Sequence, residues 1–421
     1  MPEIPLNNLK ARREKLANLM PVNSAALILS AQQTHRNSDV EHKFRQNSSF
    51  WYLTGFNEPE SAFLIIKTEK ETLNYIFVRP KEKEKEIWTG YRSGPAGASQ
   101  ISGIEKSFLF SELKPQLEKL LGGLQHIYFD FGSENYATLG IEILELIRQK
   151  RIYQITSTQN LLAELRLFKE NWEVEQIKIA TQIAAKAHNL ARQACQVDLY
   201  EYYLEGLIEG FFRQNNCNWA YPSIVAAGQN ATILHYVENN SILKDKDLIL
   251  IDAGCEYNYY AADITRTFPI NGKFTIAQKE IYDLVLKAEL EAIEESKIKN
   301  TTFEKVHEKA VLVLSTGLKD LKLLDGSLDE IIEEKKYRKF YMHRTGHWLG
   351  LDVHDIGSYL DKDGKSTVLK AGMLMTIEPG LYFDPQDESI NEAFRGIGIR
   401  IEDDILITEI GSQNLTELAI K

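Results

Sequence analysis

The chain has 421 residues, 43% of them apolar and 26% charged, and its net charge is -11. This length is more than a single hydrophobic core usually supports, and it predicts two domains. The acidic net charge argues against nucleic acids and anionic membranes as partners, because both bind basic surfaces. No stretch is apolar enough to span a bilayer and no secretory leader is evident, so we expect a cytoplasmic protein without a membrane partner.

The first 168 residues alternate between strand-like and helix-like segments, which predicts a compact α/β domain. Strand patterns cover 25–30, 62–67, 72–79 and 126–131, and helix patterns cover 8–20, 112–120 and 136–149. The charge run KEKEKE at 81–86 is typical of a solvated face. We find no catalytic constellation in this part of the chain.

A second domain is predicted from residue 169 to residue 421, because the pattern changes to one long helix over 163–194. Further helix patterns cover 199–214, 276–299, 302–316 and 327–336. His188 lies on the long helix, where a packed histidine is expected more than a ligand. Cys255 is expected to be a small core filler, since an oxygen-rich metal site has no use for a thiolate.

The stretch DLILIDAGCEYNYYAADITRTFPI, residues 247–270, predicts a β-hairpin with its turn at Tyr257-Asn258. That register places Asp252 directly across from Asp263, with their Cβ atoms roughly 5 Å apart on one face. Two facing carboxylates destabilise a hairpin, and neither Lys246 nor Arg266 falls on the pair in this register, so a bound cation is one explanation. The other is a solvated pair whose register is broken by a bulge.

Two more acids lie in strand-like segments, Glu378 in MLMTIEPGLY (373–382) and Glu402 in GIRIEDDILIT (398–408). A carboxylate among strand residues needs a cation or hydrogen bonds. Arg400 and Glu402 share a face of the predicted strand, and taken alone they favour an internal ion pair. With Asp252 and Asp263 the two glutamates make four negative charges, which two divalent ions would cancel.

Between these strands and the helices lies the histidine-rich segment FYMHRTGHWLGLDVHDIG, which begins at Phe340. Arg344 stands where the HExxH zinc motif would need glutamate, so that motif is excluded. The residues Leu351 to His354 suggest a strand or an extended loop. One imidazole with four carboxylates suits Mn(II), Co(II) or Fe(II) more than tetrahedral structural zinc.

These motifs, DAGCEYNYYAADITRTFPINGKF, ILHYVEN, HWLGLDVHD, TIEPGLY and GIRIEDD, closely resemble those of the pita-bread metallopeptidases, specifically the Xaa-Pro aminopeptidase (aminopeptidase P) family. RNSDVEHKFRQNSSFWYLTGFNEPE is similar to that family's N-terminal domain. The resemblance implies an α/β N-terminal domain (1–168) and an α+β pita-bread, creatinase/aminopeptidase-like catalytic domain (169–421). It also implies a homo-oligomer, either a dimer or a tetramer, and two divalent metal ions, Mn²⁺ before Co²⁺ or Zn²⁺.

Carried over motif by motif, the resemblance implies three sets of site residues. The metal ligands are Asp252, Asp263, His347, Glu378 and Glu402, with Asp263 and Glu402 bridging both ions. The catalytic residues are Glu378, His354 and His235. The substrate-binding residues are His343, Tyr382, Arg400 and Trp88, the last reaching a neighbouring subunit's site.

The implied activity is removal of the N-terminal residue from peptides that carry proline second, by attack of a metal-bridging hydroxide on the Xaa-Pro bond. His354 and His235 would stabilise the oxyanion, and Glu378 would protonate the leaving proline nitrogen. The nearest alternative is prolidase, which cleaves only Xaa-Pro dipeptides. Methionine aminopeptidase fits less well, because it generally lacks such an N-terminal domain, and a metal-free peptide-binding protein is the alternative from another class.

Overall fold

The computed structural model describes residues 3–130 and 137–421. The chain divides into two compact units, Met1–Leu165 and Arg166–Lys421. Within the described ranges, we find no helix whose length and apolar character would let it cross a bilayer.

The first unit is built on one six-stranded sheet of order β6-β5-β4-β1-β7-β8, with parallel pairing at β1–β7, β7–β8 and β5–β6. Central strands β1 and β4 are almost entirely buried, which explains their unbroken apolar sequences. The expected α/β domain is confirmed. In chain order the elements are α1 (Leu6–Leu19), β1 (Ser24–Leu29), β2 (His35–Asn37), β3 (Val40–Glu41), α2 (Ser48–Thr54), β4 (Ala62–Lys67), β5 (Thr72–Val78), α3 (Lys83–Thr89), α4 (Gly94–Ser102), β6 (Lys106–Leu109), α5 (Leu113–Leu120), β7 (His126–Phe129), α6 (Ala137–Gln149), β8 (Gln154–Thr156) and α7 (Gln159–Leu167).

Two of the predicted segments reach into residues 131–136, which lie outside the described ranges. The strand predicted over 126–131 corresponds to β7, which ends at Phe129. The helix predicted over 136–149 corresponds to α6, which begins at Ala137. The charge run at 81–86 lies largely in α3, which buries none of its residues.

The predicted long helix over 163–194 is wrong, because the chain forms α7 and then α8 (Asn171–Ala194). The break falls at Lys169 and Glu170. The backbone N–H of Lys169 donates to the carbonyl of Gly372 at 2.7 Å rather than to a helical carbonyl. Glu170 then caps α8, since its own N–H donates to the Glu173 carboxylate at 2.9 Å. Apolar spacing alone does not reveal such a break.

The second unit combines antiparallel strands with helices, in the sheets β10-β11-β14, β13-β12-β9, β15-β18-β19 and β16-β17. Helices α8 and α9 bury alanine, leucine and phenylalanine side chains against the strands around β11, and α10 with α11 packs against β16 and β17. Its elements are α8, α9 (Glu201–Gln214), β9 (Asn218–Trp219), β10 (Ile224–Ala227), β11 (Leu248–Asp252), β12 (Cys255–Tyr257), β13 (Tyr260–Ala261), β14 (Thr265–Pro269), α10 (Ile276–Ser296), α11 (Phe303–Asp320), α12 (Leu328–Glu333), β15 (Leu374–Ile377), β16 (Gly380–Tyr382), β17 (Gly398–Arg400), β18 (Asp403–Thr408) and β19 (Gly411–Asn414).

The predicted register of the central hairpin is wrong by two residues. Asp252 pairs with Thr265 across β11 and β14, so Asp263 lies two positions away from the place expected for it. Because side chains alternate along a strand, an even shift leaves both aspartates on the same face. The two carboxylates are diagonal neighbours instead of direct ones.

The turn of this hairpin explains the shift. Asn258 and Tyr259 both have positive φ, 47° and 70°, which makes a two-residue loop of the type I′ kind between Tyr257 and Tyr260. Asparagine tolerates this conformation well and therefore takes the first loop position rather than the second. The strands then approach so closely at Gly254 that a Cβ there would overlap the carbonyl oxygen of Ala262.

The two predicted strands that carry the glutamates are each interrupted at the glutamate. Glu378 lies between β15 and β16, where Pro379 has no N–H for a ladder and the Glu378 N–H donates to the carbonyl of Thr345 at 2.7 Å. Glu402 lies between β17 and β18, and its N–H donates to the carbonyl of Thr265 at 3.1 Å. Both glutamates therefore lie in irregular backbone at the end of a strand.

Candidate metal centre

The second unit contains a cleft of about 660 Å³ that gathers most of the predicted site residues. The cleft is lined by polar side chains and by apolar side chains, the latter from the segment before β11 and from the loop after His347. The lining residues are Tyr221, Pro222, Ile224, Leu234, His235, Val237, Asp252, Asp263, His343, Arg344, Gly346, His347, Val353, His354, Glu378, Arg400 and Glu402.

Three predicted ligands form the centre of this cleft. One ligand atom each from Asp263, His347 and Glu402 lies within 4.8 Å of the others. The Nε2 atom of His347 is 3.4 Å from Oδ2 of Asp263 and 3.6 Å from Oε1 of Glu378. Four of the five predicted ligands thus approach one another directly, from a hairpin, a loop and two strand ends.

The fifth predicted ligand, Asp252, joins the group through Tyr221, which sequence reasoning missed. The Tyr221 hydroxyl donates to Oδ1 of Asp252 at 2.7 Å and also contacts Oδ1 of Asp263. One hydroxyl carries one proton, so it cannot satisfy two ionised carboxylates together, and a further proton or cation is required. Tyr221 stands in the loop before β10, where no pattern in the sequence distinguishes it.

Arg400 pairs with Asp252 and not with Glu402, which was the alternative that these two residues favoured when taken alone. Nη2 of Arg400 lies 2.5 Å from Oδ2 of Asp252, its Nη1 donates to the Tyr382 hydroxyl at 2.9 Å, and its Nε donates to Oγ1 of Thr265 at 3.2 Å. Thr265 in turn donates to Oε2 of Glu402 at 2.6 Å. Thr265 therefore links Arg400 to Glu402 by two hydrogen bonds.

The carboxylates carry more negative charge than this buried site tolerates. Burial raises the pKa of Glu378 to about 7, and burial followed by the charges of Asp263 and Glu378 raises the pKa of Glu402 well above its usual range. Burial alone lowers the pKa of His347, but its contact with Asp263 and the charge of Glu378 outweigh burial and raise that pKa to about 9. Without a metal, an imidazolium and protons supply the missing positive charge.

The donor set fits divalent cations. Asp252, Asp263 and Glu402 are buried and Glu378 is mostly so, and carboxylate oxygens with one imidazole are ligands that such ions prefer. Nδ1 of His347 lies 3.1 Å from the carbonyl oxygen of Trp348. When Nδ1 carries the proton and donates to this oxygen, the lone pair of Nε2 faces the carboxylates and is available to a metal ion.

The predicted catalytic and substrate-binding histidines also lie at this cleft. The ring of His354 meets that of His347 edge-on with centroids 4.3 Å apart, and His235 also lines the cleft. Nε2 of His343 lies 2.9 Å from the Tyr382 hydroxyl. Burial, followed by the charge of Arg400, lowers the pKa of His343 to about 3, so it is a neutral hydrogen-bonding group.

Three other residues singled out in the sequence lie in different surroundings. His188 is buried, with Nε2 2.8 Å from the carbonyl of Ala253, which confirms a packed histidine. Cys255 is a buried core residue, as expected. Trp88 lies on α3 of the first unit with a side chain that is 87% exposed, and its role stays a prediction.

Comparisons with known proteins extend over both units. The model of "Metallopeptidase family M24" matches residues 175–409, and that of "Aminopeptidase P, N-terminal domain" matches residues 9–128. An Xaa-Pro aminopeptidase of Escherichia coli is 43% identical, covering 100% of this chain and 97% of its own. Human Xaa-Pro aminopeptidase 3 is 31% identical, covering 94% of this chain and 80% of its own.

Solved structures give the same result. Zinc-substituted Escherichia coli aminopeptidase P in complex with product matches with a TM-score of 0.94 at 42% identity, covering 100% of this chain and 97% of that one. Proline aminopeptidase P II from Yersinia pestis matches with a TM-score of 0.94 at 40% identity, covering 99% and 97%. The likeness therefore includes the N-terminal unit, the catalytic unit and the strands that carry the acidic residues.

Proposed function

Because this chain belongs to metallopeptidase family M24 and is a metal-dependent aminopeptidase of the Xaa-Pro class with a pita-bread catalytic domain, we propose that its cleft holds two divalent ions, Mn²⁺ before Co²⁺ or Zn²⁺. The ions would be held by Asp252, Asp263, His347, Glu378 and Glu402. The observation that carries this proposal is the convergence of these carboxylates in one buried cleft, where burial raises the pKa of Glu378 to about 7 and that of Glu402 well above its usual range. Four carboxylates balance the charge of two divalent ions.

The bound ions would polarise the peptide carbonyl and supply a nucleophile at neutral pH. The remaining tasks fall to side chains of this chain. His354 and His235 face the cleft and would donate hydrogen bonds to the oxygen that becomes negative in the transition state. Glu378, whose pKa is already raised by burial, would carry a proton to the leaving proline nitrogen, which must be protonated before the bond breaks.

We assign substrate orientation to a series of hydrogen bonds that runs from His343 through Tyr382 to Arg400. Its two hydrogen bonds, both 2.9 Å, fix a neutral imidazole and a phenol hydroxyl beside the carboxylates. Arg400 forms an ion pair with Asp252, so it positions this ligand as well as the tyrosine. The substrate would be a peptide with a free N-terminus and proline as its second residue. Because proline has no backbone N–H, such a peptide does not fit an aminopeptidase site that requires a hydrogen-bond donor at this position.

The prolidase alternative is not favoured, because the relatives that match along the full chain are Xaa-Pro aminopeptidases. The deciding experiment compares hydrolysis of Ala-Pro-Ala with that of Ala-Pro, each with Mn²⁺, Co²⁺ and Zn²⁺ after chelator treatment. We expect cleavage of the tripeptide and about two ions per chain at saturation. Activity confined to the dipeptide, or protein that binds no metal, would contradict the proposal.

The role of Trp88, the boundary at residue 168, the homo-oligomeric state and the cytoplasmic location remain proposals from the sequence. Trp88 is suited to contact a second copy of the chain, because a side chain that is 87% exposed leaves a large apolar surface available. Light scattering of the wild type and of Trp88→Ala would test the assembly as a dimer or tetramer.

A further inference from the structure

A group of buried charges lies behind Glu402, on residues that the proposed reaction does not use. We call Arg266, Glu289, Asp403 and Lys421 the rear charge cluster. The side chains of Glu289 and Asp403 are 0% exposed, and Nζ of Lys421 lies 2.5 Å from Oε1 of Glu289 and 2.6 Å from Oδ2 of Asp403. A long side chain with one ammonium thus joins two fully buried carboxylates.

Arg266 connects this cluster to the metal centre. Its Nη2 donates to Oδ1 of Asp403 at 2.6 Å, while its Nη1 donates to the carbonyl of Glu402 at 2.6 Å and to that of Thr265 at 2.9 Å. A guanidinium is planar and its donors have fixed directions, so the position of Asp403 determines where both carbonyls are held. The Thr265 hydroxyl also donates a hydrogen bond to the carboxylate of Glu402, which lines the cleft.

Arg266 and Lys421 hold the Asp403 carboxylate together. Arg266 donates to its Oδ1 and the Lys421 ammonium lies 2.6 Å from its Oδ2, so each oxygen has its own cationic partner. Without the ammonium, Oδ2 of this fully buried carboxylate would lose its cationic partner, and a buried charge that loses a partner forces its surroundings to rearrange.

We propose that Lys421 is a positioning residue for the metal centre: it fixes Asp403, which orients Arg266, which holds the backbone of Glu402. The inference rests on the proposed role of Glu402 as a ligand. Residues that orient metal ligands typically change metal affinity by about 10- to 100-fold when they are replaced. Lys421 would act on affinity and turnover without contacting the substrate.

The test measures Mn²⁺ affinity of chelator-treated protein by calorimetry, together with kcat and KM. We expect Lys421→Met to weaken the affinity by about 10-fold or more and to lower kcat with little change in KM. Lys421→Arg keeps a cation beside both carboxylates and should retain more Mn²⁺ affinity than Lys421→Met. Lys279→Met is the matched control, since Lys279 pairs with exposed Asp283 on α10.

The control variant separates positioning from simple stabilisation. If Lys421→Met lowers the melting temperature but binds Mn²⁺ as tightly as Lys279→Met does, or if Lys421→Arg binds Mn²⁺ no more tightly than Lys421→Met does, the inference is wrong. Should Lys421→Met not fold, Asn414→Ala removes a neutral hydrogen bond to the same oxygen of Asp403, 2.5 Å long, and unchanged affinity in that variant would overturn it. Wild-type protein that binds no Mn²⁺ would instead contradict the proposed function itself.

Discussion

The Tyr221 hydroxyl lies 2.7 Å from the carboxylate of Asp252, and its second contact is Asp263 on the other strand of the hairpin. A single hydroxyl therefore links the two acids whose closeness first indicated a cation. The hairpin alone does not bring their carboxylates face to face, since Asp252 pairs with Thr265. The loop before β10 completes this side of the site.

Tyr221→Phe removes this link while keeping the aromatic ring. Because both aspartates lose a donor that orients them, we expect Mn²⁺ affinity and kcat/KM to fall by about 10-fold each. Calorimetry and peptide hydrolysis measure the two quantities. Tyr202→Phe, on a residue of α9 that is 52% exposed, is the control and should behave as wild type. Equal values in the two variants would show that Tyr221 does not orient ligands.

Asp263→Asn replaces a buried carboxylate by a neutral group of the same shape. We expect at least a roughly 1000-fold loss of activity, because metal-dependent chemistry contributes several kcal/mol to the barrier. The fold should persist, and the metal-free variant should be more stable than metal-free wild type near neutral pH, since burial raises the pKa of Asp263 and its ionised form is unfavourable. Thermal unfolding and a tripeptide assay measure these effects. Asp283→Asn, on an exposed acid, is the control, and turnover near its level would refute the ligand role of Asp263.

The metal-free protein should lose stability as the pH rises from 6.5 to 9. The pKa of His347 is raised from 6.5 to about 9 and that of Glu378 from 4.5 to about 7, so in this window the native state holds protons that the unfolded chain releases. Stability present at low pH is therefore lost as the pH passes these folded-state values, about 3 kcal/mol in all.

Saturating Mn²⁺ should remove this decline, because a bound cation takes the place of the protons and favours the ionised ligands. Urea unfolding of both forms at pH 6.5, 7.5 and 9 provides the measurement. Glu289, whose pKa is raised to about 8, contributes a decline to both forms, so only their difference reports on the metal centre. A metal-free protein that gains stability toward pH 9 would contradict the assigned charge state.

Gly254→Ala tests the close approach of the hairpin strands. The new methyl group would overlap the carbonyl oxygen of Ala262 next to Asp263, so the strands must separate. We expect a loss of roughly 2 to 4 kcal/mol in unfolding free energy and weaker metal binding. Gly206→Ala on α9 is the control, because nothing lies within 4 Å of a Cβ there and alanine favours helix by about 1 kcal/mol. Similar stabilities of the two variants would rule out the close approach.

The sequence by itself identified the acids that line the cleft, whereas the histidines were assigned through the resemblance of their motifs to the aminopeptidase P family. Asp252 and Asp263 follow and precede apolar strand segments, and a side-chain period of two keeps them on one face even when the register shifts by two residues. Glu378 and Glu402 stand out because a carboxylate among strand residues needs a partner. These conclusions depend only on local periodicity and on charge.

Only the tertiary structure decided which groups meet. Tyr221 reaches Asp252 from 31 positions away, and Arg400 reaches it from 148, so no local pattern assigns either contact. The positive φ of Asn258 and Tyr259 fixed the register, and Pro379 helped to end a strand that apolar residues alone would continue. Local sequence thus sets which face a side chain occupies, whereas its partners depend on how distant segments pack and where backbone hydrogen bonds are exchanged between them.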